Sequence, residues 1–339
     1  MSIRGQDSGS PTLEQVAALA GVSRATVSRV VNGSPKVLPE TVAAVERAIG
    51  ELGYVPNRAA RALVTRRTDS VALVVPEPDS RVFSDPFFAG ILRGVSRTLA
   101  PTSSQLVLLL EPAEGDDQRL LRYLRGGHVD GAIIVSHHGR DNVLQELAQL
   151  PLPIVFSARP LGVDVPVASV DVDNVAGART AVEYLVSLGR RRIGTIAGPS
   201  DMTAGLDRLT GYREAVAEAG LSEAVAIGDF TADGGEQAAV RLFGEHSDLD
   251  GVFVANDLMA TAVLRVLSEL GRRVPDDVAV VGFDDSVVAT TTTPKLTTVR
   301  QPVELLGARL AEIVLAKIGG AQLTSPEIFS TELIIRGSA

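Results

Sequence analysis

The sequence predicts a small all-α head with a helix-turn-helix pattern, followed by a larger α/β body of two lobes. Length supports this division, because 339 residues are too many for one ordinary domain. At about residue 70 the pattern changes from helical spacing to short apolar runs that alternate with amphipathic stretches. Charge is divided in the same way, since residues 1–68 carry a net +4 whereas the whole chain carries −9.

Composition narrows the class of protein. Apolar residues make up 45% of the chain and aromatic residues 4%, which predicts a sizeable, mainly aliphatic core. The lack of cysteine excludes disulfides, Cys-ligated zinc, iron–sulfur clusters and thiol catalysis, and it fits a reducing compartment. The chain shows no signal peptide and no apolar run long enough to span a bilayer. We therefore expect a cytoplasmic protein without a membrane partner.

The predicted head begins after residues 1–11, which are rich in Ser and Gly and are expected to be a disordered leader. Apolar residues at helical spacing then predict a helix over Leu13–Ala20. Thr12 and Gln15 have the spacing of a capping box at its start, and Gly21 ends it.

Two more helices complete the head, which is expected to extend over residues 12–55. Ser23 can cap a second helix over Arg24–Val31, which ends at Asn32 and Gly33. Pro39 suits the first position of a third helix that ends at Gly53. Apolar side chains should pack between the first two helices: Ala17, Val22, Val27, and Val30 or Val31.

The body shows apolar runs of strand length separated by helical patterns. This alternation predicts parallel sheets covered on both faces, and there are too many strands for a single sheet. In such sheets, ligands bind beyond the carboxyl ends of the strands. The strand candidates are Val71–Val75, Leu106–Leu110, Ala132–Val135, Ile154–Phe156, Ala168–Val170, Ile193–Ala197, Val252–Ala255 and Val278–Phe283.

The exposed side of the second head helix carries groups that suit DNA. Arg24 and Arg29 can each form two hydrogen bonds with guanine, and Ala25 can contact a thymine methyl. The basic charge of the head agrees with a DNA partner. Periodicity alone equally allows a helical hairpin with a solvated face. Further donors suit phosphates, which position a protein on DNA: Ser23, Thr26, Ser28 and Asn32.

Two long motifs decide between these alternatives. GVSRATVSRVVNG at 21–33 and ELGYVPNRAARAL at 51–63 closely resemble the DNA-binding domain and hinge of the LacI/GalR regulators, and the resemblance continues over nearly the whole chain. It implies that Arg24, Ala25 and Arg29 contact bases. It also implies a body of the periplasmic-binding-protein-like type I fold that binds a small effector. Leu38 stands where the family often has a polar cap, so we expect a weaker third helix.

Residues 56–69 resemble the hinge helix and linker of that family. A helix of about two turns is marginal alone in water and is expected to fold when docked on DNA. The resemblance implies that Leu63 wedges into the minor groove, where apolar side chains kink DNA. Asn57 is then a phosphate contact, and Arg58 and Arg61 lie at the minor groove. An ordinary basic linker is the alternative.

Polar residues at strand ends mark a candidate pocket in the body. Asn256-Asp257 and Asp284-Asp285 each follow a strand, and Arg208 lies near a helix start, a combination that suits a polyhydroxy ligand. Helix capping by Asp257 and a turn at Asp285 are the structural alternatives. Carried over by position, the resemblance implies eight effector-binding residues: Phe87, Phe88, Ser157, Arg159, Arg208, Phe230, Asn256 and Asp284.

Two features of the pocket concern the identity of its ligand. Ser157 replaces an acidic residue that the family often has, so we expect a different sugar or hydrogen-bond pattern. His137 and His138 are adjacent on an extended chain and point to opposite sides, so they are expected to line the pocket or its rim instead of binding metal.

The resemblance implies a homodimeric repressor that binds a palindromic operator under allosteric control by a sugar. A nucleoside or purine effector is the alternative, with Phe87, Phe88 and Phe230 available for stacking. A solute-binding protein would need an export signal. No cofactor, metal or catalytic motif is predicted. The chain ends at Ala339 without a leucine-heptad helix, which favours a dimer.

Within the body, 70–339, lobe one is expected at about 70–166 and 299–327, and lobe two at about 167–298 and 328–339.

Overall fold

The computed structural model of the chain describes residues 11–31, 34, 36–55, 67–110, 117–139 and 143–339. The chain divides into two compact units, Met1–Thr68 and Asp69–Ala339, which we call the head and the body and describe separately.

The described part of the head contains three helices, α1 (Leu13–Ala20), α2 (Arg24–Val31) and α3 (Pro39–Leu52). The predicted capping box of α1 is confirmed: the backbone N–H of Gln15 donates to Thr12 Oγ1 at 3.3 Å, and the N–H of Thr12 donates to Gln15 Oε1 at 2.8 Å. Both oxygens satisfy backbone groups that have no partner within the helix.

Apolar side chains from all three helices form the core of the head. Val16, Val27 and Val45 have no exposed surface. Ala17 is buried, and Val22, Val30 and Val31 pack against this core partly buried, as the sequence predicted. Helix α3 begins at Pro39 with no side-chain hydrogen bond from Leu38.

The body contains two six-stranded sheets. In the first sheet the order is β11-β5-β4-β3-β1-β2, and all strands are parallel. In the second the order is β12-β10-β9-β8-β6-β7, and only β12 is antiparallel. The strands are β1 (Ser70–Val75), β2 (Gln105–Leu110), β3 (Gly131–Ile134), β4 (Ile154–Ser157), β5 (Ala168–Val172), β6 (Ile193–Ala197), β7 (Val225–Ile227), β8 (Gly251–Val254), β9 (Ala279–Asp284), β10 (Thr297–Arg300), β11 (Pro326–Phe329) and β12 (Glu332–Ile334).

Helices lie between most of the successive parallel strands, as crossover connections usually require. Within the described parts of the body, no helix is long and apolar enough to cross a membrane. The helices are α4 (Asp79–Ser84), α5 (Pro86–Leu99), α6 (Asp117–Arg125), α7 (Val143–Ala148), α8 (Asn174–Ser187), α9 (Thr203–Glu218), α10 (Ala232–Glu245), α11 (Asp257–Glu269) and α12 (Val303–Ile318), with a 3₁₀ turn at Val287–Thr290.

The lobe boundaries differ from those expected. Strand β5 was assigned to lobe two, but it pairs with β4 in the first sheet, with Ser157 opposite Val170. Strand β10 lies in the second sheet, and the expected boundary at residue 299 falls within it. Strand β11, cut by the expected boundary at 327, lies wholly in the first sheet. Hydrophobicity predicts a strand but not its neighbours, because sheet membership depends on long-range pairing.

Four strands were missed, namely β7, β10, β11 and β12. Each has only three or four residues, and polar side chains interrupt the apolar pattern in β10, β11 and β12. Three of the four sheet edges are β7, β11 and β12. An edge strand is half solvated, so its sequence lacks the continuous apolar run of a central strand.

Candidate functional site

A cavity of about 700 Å³ opens in the body where the carboxyl ends of strands from both sheets meet. This is where ligands bind in open α/β sheets. The chain passes between the sheets through the segments after β5 and β10, and both segments contribute to the wall. Six of the eight predicted effector residues line the cavity: Phe87, Phe88, Ser157, Arg208, Phe230 and Asp284.

Arg208 on α9 is a buried cation of this wall and is only 5% exposed. Its Nε donates to Asn174 Oδ1 at 2.9 Å, and its Nη1 donates to the carbonyl of Ala255 at 2.6 Å. Nη1 also lies 3.6 Å from Asp284 Oδ1. The guanidinium stacks 3.7 Å from the centre of the Phe283 ring, so its plane is fixed from several directions.

Asp284 ends β9 in a conformation that favours glycine, with a φ of 119°. Such strain is found where a side chain is held for a function. Gln301 Nε2 donates to its Oδ1 at 2.6 Å. Burial raises the pKa of the Asp284 carboxyl well above its usual value, although Arg208 favours the charged form. The Asp284 carboxyl is therefore a buried hydrogen-bonding group that has lost most of its contact with water.

Aromatic rings form two other parts of the wall. Phe230 is buried at a φ of 68°, and the guanidinium carbons of Arg81 and Arg208 lie 5.8 and 5.7 Å from its ring centre. Phe87 and Phe88 contact each other edge to face at 5.5 Å. These rings offer apolar faces beside the charged groups, the mixture that a sugar ring requires.

Two predicted effector residues do not line the cavity. Asn256 caps α11 by accepting from Met259 N–H at 2.9 Å, and its amide nitrogen donates to the carbonyl of Phe230 at 2.8 Å. Both ends of the amide are thus committed to the protein. Arg159 is exposed and pairs with Asp207 at 3.2 Å. Sequence position could not show that these groups already have internal partners.

The second residue of each predicted polar pair, Asp257 or Asp285, has a structural role. Asp257 is buried, accepts from Thr298 Oγ1 at 2.6 Å and from Ser286 N–H at 2.7 Å, and burial raises its pKa to about 7. The residue that caps the helix is Asn256, not Asp257. Asp285 accepts from Arg300 at 2.7 Å and from Arg336.

The two adjacent histidines have different surroundings. His137 lines the cavity, its Nε2 donates to the carbonyl of Ser157 at 2.9 Å, and burial lowers its pKa to about 4. His138 faces Glu77 at 3.2 Å and Asp201 at 2.9 Å. The hydrogen bond between His138 and Glu77 raises the pKa of His138, and the hydrogen bond with Asp201 adds to this effect.

In the head, Arg24, Ala25 and Arg29 are exposed on α2. Arg24 pairs with Glu14 of α1 at 2.9 Å. Ser23 caps α2, because its Oγ accepts from the N–H of Thr26 at 3.1 Å. That Oγ lies 2.9 Å from Thr26 Oγ1, and Ser28 is partly buried.

Comparison with known proteins identifies the family that shares this sequence and architecture. The model for bacterial regulatory proteins of the lacI family matches residues 12–57, and the model for a periplasmic binding protein-like domain matches residues 182–339. The chain is 51% identical to the HTH-type transcriptional regulator CelR of Thermobifida fusca, over 97% of this chain and 98% of that protein. This chain is a member of the LacI family. It is a transcriptional regulator with a helix-turn-helix head.

Other proteins similar to this LacI-family chain are also transcriptional regulators. It is 33% identical to the ribose operon repressor of Escherichia coli over 97% of this chain and 99% of that protein. A solved transcriptional regulator CelR-cellobiose complex superposes with a TM-score of 0.78 at 48% identity, covering 97% of this chain and 100% of that one. A lac repressor dimer bound to operator and the anti-inducer ONPF gives 0.83 at 28% identity, covering 97% and 99%.

Several predicted DNA contacts of this LacI-family chain lie outside the described residues. They are Asn32, Asn57, Arg58, Arg61 and Leu63, and residues 1–10 of the expected leader also lie outside the described residues. Their roles stay predictions.

Sequence reasoning missed several cavity residues. Asp171 lies in β5 near its carboxyl end and Asn174 begins α8, and neither was predicted to bind the effector. Their position at the end of the predicted apolar run Ala168–Val170 was the available signal. Gln301 carried no such signal, because β10 itself was missed. Further residues of the wall that were not predicted are Arg81, Ser136, Ala158, Val170, Met202, Thr203, Ala204 and Leu306.

Proposed function

We propose that this LacI-family regulator represses transcription by binding a palindromic operator as a homodimer, and that a carbohydrate in the body cavity changes its affinity for DNA. The observation that carries the sugar assignment is the buried pair of Arg208 and Asp284 beside Phe230 in that cavity. Binding of sugar need only favour one of two states of the body to change operator affinity. The proposed site of action is the cytoplasm.

The chemistry of the wall supports a sugar. A carboxylate accepts hydrogen bonds from adjacent hydroxyls, a guanidinium donates two, and an aromatic ring packs on the apolar face of a pyranose. Asp284, Arg208 and Phe230 provide one group of each kind. The CelR-cellobiose complex, at 48% identity, makes cellobiose the first sugar to test. A nucleoside or purine is the alternative occupant, and we assign the cavity no catalysis.

On the DNA side, we propose that Arg24, Ala25 and Arg29 contact base edges and that Ser23, Thr26, Ser28, Asn32 and Asn57 contact phosphates. The exposure of α2 beside a compact apolar core suits insertion into a major groove. Arg58, Arg61 and Leu63 are the proposed minor-groove contacts of a hinge helix.

A homodimer is supported by an apolar surface on the first sheet. Strand β2 forms one edge of that sheet, and Leu108 on it is 37% exposed. Phe83 and Leu92, which are 75% and 38% exposed, line the same apolar recess. A second copy of the chain would cover this edge, as edges with exposed apolar side chains require. The similar lac repressor structure is a dimer.

Two titrations test the proposed function. Isothermal calorimetry of the full chain with cellobiose is expected to give saturable binding that Asp284→Ala abolishes. Fluorescence anisotropy with a labelled palindromic operator is expected to give a dissociation constant that changes when cellobiose is added. Binding of nucleosides or purines with no response to sugars would favour the alternative effector. A monomer without operator affinity would refute the regulatory dimer.

A further inference from the structure

Asp171 is a cavity residue that the protein uses through one oxygen only. It lies in β5 near its carboxyl end and lines the cavity. Its Oδ1 accepts from the N–H of Val172 at 2.7 Å and from Asn174 Nδ2 at 2.9 Å. Among the described residues, no side chain or backbone group donates a hydrogen bond to Oδ2. This oxygen is also not one of the fully buried polar atoms that lack a partner. Oδ2 is therefore an acceptor open to a ligand.

The hydrogen bonds of Oδ1 fix this carboxylate in place. Asn174 donates to Asp171 and accepts from Arg208 Nε, so three cavity residues form one chain. Asn174 is buried at the start of α8, and Arg208 is buried on α9. An acceptor held in this way loses little conformational entropy when a ligand binds, which favours affinity and selectivity.

The charges of the wall are unbalanced. Asp85, Asp171 and Asp284 line the cavity together with Arg81 and Arg208. Arg81, however, is already bound to buried Glu77 at 2.6 Å. Burial raises the pKa of Asp85 and of Asp284, and it raises that of Asp171 to about 6. A further negative charge in such a place is unfavourable, because burial in this wall already disfavours the charged form of the carboxyl groups.

We propose that Asp171 is a specificity-determining residue for the effector. Its Oδ2 accepts a hydrogen bond from a sugar hydroxyl, and its carboxylate charge disfavours phosphorylated sugars. This assignment rests on the carbohydrate function proposed above.

The test compares Asp171→Asn with Asp173→Asn in the full chain. Asn at 171 keeps an Oδ1 acceptor for Val172 and Asn174 and replaces only Oδ2 by a donor. Asp173 is exposed and caps α8, a role that Asn also performs, so its variant removes the same charge two positions away. Calorimetry at pH 8, above the pKa of Asp171, measures binding of cellobiose and of cellobiose 6-phosphate.

Wild type and Asp173→Asn are expected to bind cellobiose about tenfold or more tightly than its 6-phosphate. Asp171→Asn is expected to lose about tenfold or more for cellobiose, the usual effect of losing a hydrogen bond to a charged group. It should also reduce the preference over the phosphate. Operator binding and thermal unfolding of each variant establish that it is folded.

Different failures have different meanings. If Asp171→Asn binds both ligands as wild type does while Asp171→Ala loses affinity, Asp171 only positions Asn174 and Arg208, and the specificity role is overturned. Equal wild-type affinity for the two ligands overturns the exclusion of phosphate without any variant. If wild type binds no sugar at all, the proposed carbohydrate function fails, and the role of Asp171 fails with it.

Discussion

Arg24 in the head and Arg208 in the body differ in how the surrounding structure holds them. Arg24 has a side chain that is 70% exposed and one ion pair, with Glu14, whose side chain is 61% exposed. Arg208 is 5% exposed, and Asn174, Asp284 and a carbonyl surround its guanidinium. The first arginine can leave its partner for DNA at little cost, whereas the second is part of the packed interior.

In the head, a substitution can therefore change DNA binding without changing stability. In the body, a substitution in the cavity changes both ligand binding and stability. An exposed ion pair contributes little to stability, so Arg24, a proposed base contact, can be exchanged without unfolding the head. A buried cation with buried acceptors is different, because its removal leaves desolvated groups unpaired. The two regions should therefore respond differently to the same kind of substitution.

The largest effect is expected from Arg208→Leu. It should lower the free energy of unfolding of the body by about 3 kcal/mol and abolish sugar binding, because Asp284 loses its counter-charge, and Asn174 and the carbonyl of Ala255 lose their donor. Denaturant titration and calorimetry measure the two quantities. Arg213→Leu is the matched control, an exposed arginine on the same helix that pairs with Glu223. Equal destabilisation by both variants would remove the distinction between buried and exposed arginines.

The next effect concerns DNA binding alone. Arg24→Ala should weaken specific operator binding by about 1–3 kcal/mol, the range for a bidentate base contact, and leave thermal unfolding unchanged. Arg47→Ala, an exposed arginine on α3, removes the same charge and controls for general attraction to phosphates. The comparison would be broken if Arg24→Ala unfolded the head or if both variants weakened all DNA equally.

A smaller effect depends on pH and concerns His138 in the body. His138 lies between Glu77, which also binds Arg81, and Asp201, and its pKa is raised. A group with a raised folded pKa stabilises fully below its ordinary value of 6.5, and this stability is lost as pH rises through the folded pKa. His138→Gln should therefore cost about 1 kcal/mol at pH 5.5 and less at pH 9.

Unfolding measured from pH 5 to 9 gives this difference directly. His128→Gln is the control, because His128 stacks on Tyr123 at 4.7 Å. A constant difference between wild type and His138→Gln over the range would show that folding does not raise the pKa of His138.

The smallest effect is a gain of stability in the head. Leu38 precedes α3, is 63% exposed and makes no capping hydrogen bond. Leu38→Asp should stabilise the head by about 0.5–1 kcal/mol by accepting from the first turn of the helix. Leu38→Ala, which removes the same apolar side chain without adding an acceptor, should give no gain. Equal melting temperatures for the two variants would contradict the interpretation of Leu38 as a missing cap.

Local signals in the sequence determined the three helices in the described part of the head. The capping box of Thr12 and Gln15, the glycines that end α1 and α3, and Pro39 all act within a few residues of their own positions. Their consequences follow from backbone geometry, which the sequence states directly. The exposure of Arg24, Ala25 and Arg29 follows from the same helical periodicity. The family resemblance rested on this segment for the same reason.

Only the tertiary structure decided the site in the body. The sequence marked Arg208 and Asp284 as polar groups at element ends, but it could not show that Asn256 is bound to Phe230 or that Arg159 lies outside the wall. It also left Asp171 unrecognised, because β5 could not be assigned to its sheet. Hydrogen-bond partners, burial and sheet order depend on residues far apart along the chain, and these determine which polar side chains remain open to a ligand.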